Sequence, residues 1–200
     1  MRRLLALPAL VVFAAACSDT AQLTQPDPLD SSQISAKAAA NGVKYVPFKG
    51  SFVQTILTGT PEAEEFDFDV ECGPPDQELE TVDKWEGTAT HLGKFTGAAN
   101  GCLTFATNEI SAIGRFYAAN GDRLNLELRG ILGPFAPGEK IRWEFTVVPG
   151  GTGRFSNAHT PPGEPITGDA TIPADVFDGP PVVFEPFKAK GRISSAGSSK

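Results

Sequence analysis

Few side chains in this 200-residue chain are of types that do chemistry, and their spacing decides which chemistry is open to them. His91 and His159 are the only histidines. An imidazole exchanges protons near neutrality, so His91, in a Thr-rich run, is the first candidate for acid–base work. His159 lies in a proline-rich loop, with nothing in the sequence to link the two. Tyr117, Glu127, Arg129 and Glu144 form a second set. A few such groups held around a reactive intermediate could act by positioning it and by stabilising developing charge. Glu65, Asp67, Asp69 and Glu71 repeat at period two and raise a calcium reading. The alternating oxygen ligands and central glycine of an EF-hand loop are missing, so a solvated strand face is expected instead.

Other reaction classes lose their support at the level of motif. The sequence has no G-x-S-x-G elbow for a serine nucleophile and no H-E-x-x-H pair for zinc, so neither a metal nor a cofactor is expected. The glycine-dense stretch GGTGRF, 150–155, resembles a phosphate cradle only in composition. A cradle needs a following helix and usually a lysine, whereas Pro161 and Pro162 follow here. The stretch is expected to be a corner in which Gly150, Gly151 and Gly153 allow a sharp turn, Arg154 locks it and Phe155 re-enters the core. The net charge is −7, and without Arg2 and Arg3 of the leader 15 basic residues face 24 acidic ones, giving −9. No cluster of Lys and Arg interleaved with aromatics is present, which excludes nucleic acid as the expected partner.

The elements that must position these residues are strands. Gly 21, Pro 17 and Phe 14, with 40% hydrophobic content, suit one all-β domain of short strands and turns. Residues 123–132 and 141–148 alternate most cleanly: Leu124, Leu126 and Leu128 against Asn125, Glu127 and Arg129, then Ile141, Trp143, Phe145 and Val147 against Arg142, Glu144 and Thr146. Further strands are expected at 52–57, 65–71, 87–97, 103–110, 113–119, 166–172 and 184–193. Asn120-Gly121 predicts a type I′ hairpin turn. About eight antiparallel strands at this spacing predict a closed β-barrel or a sandwich.

Residues 1–16 read as a signal peptide, with Arg2 and Arg3 before an apolar run and Ala14 to Ala16 before Cys17. The run is too short to be a transmembrane helix. AAAC resembles a lipobox, which would acylate Cys17, and it also fits ordinary cleavage after Ala16. An odd set of cysteines in an exported chain favours lipidation, because it leaves Cys72 and Cys102 to form a disulfide. Ser18 after the cysteine, by resemblance to Gram-negative lipoproteins, implies the outer membrane in such an organism. The expected organisation is therefore a leader at 1–16, a lipidated cysteine and flexible tether at 17–44, a β-barrel domain at 45–194 and a frayed tail at 195–200.

GGTGRF, THLG at 90–93 and ANGD at 119–122 together resemble the bacterial relatives of the allene oxide cyclase and dirigent β-barrel group. The likeness runs from residue 85 to 172, with support from 46–52 and 187–194. The resemblance implies an eight-stranded antiparallel barrel with an interior cavity, whose plant members guide cyclisation or coupling of reactive lipid or phenolic substrates. Three functions follow as expectations. The first is a membrane-tethered barrel that binds a small apolar or aromatic ligand, or a partner, without catalysis. The second is a cyclase or isomerase acting on a reactive hydrophobic intermediate. The third is a purely structural envelope or surface protein.

Overall fold

The computed structural model describes residues 43–66 and 70–194. The leader, Cys17, the tether up to residue 42 and the tail 195–200 lie outside the described residues. Among those described are nine strands: β1 (Tyr45–Ile56), β2 (Glu78–Ala89), β3 (Gly93–Thr104), β4 (Glu109–Ala118), β5 (Arg123–Leu132), β6 (Lys140–Val148), β7 (Ile166–Thr171), β8 (Val182–Val183) and β9 (Phe187–Ser194). Consecutive antiparallel ladders join β2 through β7, then β7 to β9, β9 to β1 and β1 back to β2. The expected all-β barrel of eight antiparallel strands is thus closed. The short β8 adds to β1 at Thr55 and Ile56.

Closure turns the period-two pattern into an inside and an outside. Leu124, Leu126 and Leu128 of β5, with Ile141, Trp143, Phe145 and Val147 of β6, point inward and are buried. Phe52, Trp85, Phe95, Phe116, Phe145 and Phe187 meet at the centre, with Phe95 and Phe116 stacked at 4.9 Å and Trp85 edge-on to Trp143 at 5.3 Å. Inward glycines make room for these rings. A Cβ on Gly97 would lie 2.3 Å from Phe116, so large and small residues alternate to fill the taper. Apart from Asp83, the charged side chains of the strands stand outside, the reverse of a barrel that faces lipid.

Several expected elements fall differently. Residues 87–97 are not one strand but the end of β2 and the start of β3, joined by a turn at Thr90–Leu92 in which His91 adopts a φ of 72°. The Thr-rich alternation continues through both strands and hides this reversal. Residues 103–110 likewise span the β3–β4 hairpin, where the Asn108 N–H donates to Thr104 O at 2.9 Å. Leu103 and Ile110 are cross-strand partners rather than members of one strand. The Asn120-Gly121 hairpin is present, but only Gly121 has a positive φ, 83°. The Gly121 N–H donates to Ala118 O and the Ala118 N–H to Asp122 O. This is a three-residue loop ending on a left-handed glycine, not a two-residue type I′ turn. Of the expected 65–71 strand, residues 65–66 belong to a 3₁₀ turn over Pro61–Phe66 and 70–71 are not strand, while 67–69 lie outside the described residues. Pro61 starts that turn, and both neighbours of β2 are already taken, so the sheet offers no free edge there.

The segment between β1 and β2 instead lies over the outside of the barrel. Its 3₁₀ turn contacts β2 and β3, and the Cys72–Cys102 disulfide, Cα to Cα 5.6 Å, pins its far end to β3. Glu78 completes the clasp, accepting from the Gly73 N–H at 2.6 Å and from the Thr104 hydroxyl at 3.1 Å. With a sequence separation of 30, reduction and alkylation is expected to cost about 3.5 kcal/mol of stability in the chain-entropy description. Urea denaturation of both forms measures this. An unchanged midpoint would mean that the clasp holds without the bridge.

Candidate functional site

Two polar places stand out against the apolar barrel, one inside and one outside. Inside, Thr81, Asp83 and Trp85 share the inward parity of β2. The Asp83 carboxyl is 1% exposed and accepts from Gln54 Nε2 at 3.1 Å, while Gln54 Oε1 accepts from the Trp143 indole N–H at 3.1 Å. Burial pushes the Asp83 pKa up to about 7, against the opposing pull of the Gln54 hydrogen bond. The Trp85 indole N–H and the Thr81 hydroxyl have no hydrogen-bond partner. A carboxyl that holds its proton near neutrality is suited to proton transfer. Its partners across the two ladders are Ile56 and Ala99, and the barrel closes it off from solvent.

Outside, the strands from β3 to β6 form the floor of a groove of about 460 Å³. The antiparallel register builds two cross-strand rows. One runs Asn100, Ile113, Glu127, Thr146, and the other Cys102, Ser111, Arg129, Glu144. Val70, two residues before the disulfide, forms part of the wall. Arg129 bonds Glu109 at 2.5 Å and lies 3.7 Å from Glu144, which also faces Arg142 at 3.9 Å. Exposed pairs of this kind add little stability, but they hold the charged end of the groove in one geometry. At the other end Asn100 is 0% exposed, and neither its Oδ1 nor its Nδ2 has a hydrogen-bond partner among the described residues. A buried amide left unpaired costs about 1–3 kcal/mol, and among the described residues Asn100 alone leaves both a buried side-chain donor and a buried side-chain acceptor unpaired.

The register therefore gathers three of the sequence candidates, Glu127, Arg129 and Glu144, but on the outer face. Tyr117 lies on the same face of β4 in an adjoining hollow with Lys94 and Thr96. His91 is separate from both places. Its Nε2 is 3.2 Å from Pro47 O, tying the β2–β3 turn to β1. His159 is bonded through its ring to Asn157 O at 3.0 Å and to the Tyr45 hydroxyl at 3.1 Å. The glycine corner packs against the β4–β5 hairpin. The Arg123 guanidinium donates to Gly150 O at 3.0 Å and Arg154 lies 3.5 Å from Asp122. Gly153 has a φ of 54° and no room for a Cβ beside Asp122, while Phe155 is buried. With both sulfurs in the disulfide, Cys72 and Cys102 offer no thiolate to the neighbouring Glu78 carboxylate.

Sequence reading missed Asp83, Gln54 and Asn100. Asp83 carried a usable signal, because it is two residues from Trp85 and so shares its face. Asn100 carried none, since its parity is outward and its burial depends on neighbours far away in the chain, Val70 among them. No family model, curated protein or solved structure matches this chain.

Proposed function

We propose that the chain is an exported lipoprotein of the cell envelope, held through Cys17, whose barrel is a non-catalytic binding module. The groove over β3–β6 takes its ligand. The disulfide fits an oxidising compartment. The observation that carries the reading is Asn100, a fully buried amide with a free donor and a free acceptor at one end of an otherwise apolar and charge-ruled groove. Such a side chain matches a small ligand that presents a paired donor and acceptor beside an apolar body, which Ile113 and Val70 would cover; with Asn100 0% exposed, its amide meets that ligand only after its neighbours shift. The ligand is assigned to the outer groove because aromatic rings occupy the interior.

Native mass spectrometry of the exported chain in detergent, bare and with a panel of N-acetyl amino-acid amides, tests this. An adduct or a bound amide is expected on the native chain and lost in Asn100→Leu, a variant expected to be more stable because it removes an unpaired buried amide. A bare chain that binds no member of the panel sinks the reading. A second reading, a cyclase or isomerase of the kind the resemblance to the allene oxide cyclase and dirigent group implies, is favoured by Asp83 alone, whose near-neutral carboxyl would serve as its general acid or base. It requires the inner rings to move aside for the substrate.

A further inference from the structure

The outer faces of β1 and β9 carry charge opposite in sign to the chain as a whole. Lys49 lies directly across from Lys190 in the β1–β9 ladder, Lys188 across from Ser51 and Arg192 across from Pro47. Arg142 is balanced by Asp169 at 3.6 Å and Arg192 by Glu164 at 3.7 Å. Lys49, Lys188 and Lys190 have no ion-pair partner among the described residues. Like charges placed directly opposite one another destabilise a sheet, and a chain of net charge −7 does not need them for solubility. The three lysines border one hollow, whose floor is made by Gly50, Gly168 and Ala189. The basic strip begins where the described chain enters the barrel: Lys44 is exposed there, and the Arg192 guanidinium lies 5.6 Å from the ring centre of Tyr45.

We infer that this face docks on phosphate-bearing anionic lipid headgroups of the membrane to which the tether leads. The inference rests on the tether of the proposed function and is independent of the groove. Two features argue for a membrane. The basic residues extend along two paired strands beyond the hollow, from Lys188 through Lys190 and Lys49 to Arg192 and Lys44, and the described chain begins at one end of that row, at residue 43. Each lysine near an anionic surface strengthens association about fivefold, so the three together act as a second attachment and set which side of the barrel faces the lipid.

The test is amine labelling of the full exported chain, read lysine by lysine by peptide mass spectrometry. It is done on the chain alone, with phosphatidylcholine vesicles, and with vesicles containing phosphatidylglycerol. Labelling of Lys49, Lys188 and Lys190 is expected to fall several-fold with phosphatidylglycerol only, and to recover at about 0.5 M salt, where charges are screened within about 4 Å. Lys94, on β3, is expected not to change. Equal labelling on both vesicle types overturns the inference, as does an equal loss at Lys94. Protection by inorganic phosphate without vesicles would assign the face to a small anion and overturn the membrane assignment. A chain that leaves phosphatidylcholine vesicles on flotation counts against the Cys17 anchor and not against this face, which the phosphatidylglycerol labelling still reads.

Discussion

Phe52→Ala is expected to lower the unfolding free energy by about 4 kcal/mol, the middle of the range for emptying a buried phenylalanine site. Phe52 is 1% exposed, and its ring centre lies 5.2 Å from Phe95, 5.3 Å from Phe145 and 5.9 Å from Phe187. It also sits on the seam that closes the barrel, where its backbone pairs with Gly87 of β2 and with Phe187 of β9. Rings from β1, β3, β6 and β9 therefore lose contacts together, and none can collapse far without disturbing a ladder. The void left would be apolar and about the size of a benzene ring, so benzene should bind the variant and restore part of the loss. Urea denaturation with and without benzene measures both effects. A loss below about 2 kcal/mol, or a native chain that itself binds benzene, would show that the interior holds space and would return the ligand to the inside of the barrel.

Replacing Asp83 by asparagine is expected to remove most of the pH dependence of stability between pH 4 and 8. The folded carboxyl has a pKa of about 7 against an ordinary value of 3.8, so the folded protein binds a proton that the unfolded chain has already released across that window. Stability from this group is complete below about pH 4 and is lost as pH rises through 7, because the unfolded state binds fewer protons. The displacement corresponds to on the order of 4 kcal/mol. The inward partners of Asp83 are Ile56 and Ala99, neither charged, so no nearby cation offsets the buried carboxylate. Asparagine keeps an oxygen to accept from Gln54 and cannot ionise. The variant should match the native protein near pH 4 and exceed it at pH 8 in thermal or urea denaturation. A native chain equally stable at both values would mean that Asp83 stays ionised through water or a rearranged Gln54.

Some of this architecture was legible because it is local. Period-two alternation reports which side chains share a face whatever the strand pairs with, and β5 and β6 were read correctly on that basis. Cysteine parity gave Cys72 and Cys102, and glycines with a buried aromatic marked the corner at 150–155. Hairpins without a strong turn signal, at His91 and at Asn108, were not legible, because alternation in one strand runs on into its antiparallel neighbour.

Which residues meet is a non-local matter, set by register and closure, and only the tertiary structure decided it. Alternation put Glu127, Arg129 and Glu144 on one face, but closure made that face the outside. Asn100 lies beside Val70, thirty positions earlier, only because the disulfide and the ladders bring the two stretches together. Lys49 opposes Lys190 only because the first strand pairs with the last. The Asp83 carboxyl is pushed up toward neutrality because the barrel buries it and withholds water. Sequence determined the alternating faces, since side-chain direction follows from backbone geometry alone. Burial, pairing and protonation waited on the fold, since each depends on neighbours far away in the chain.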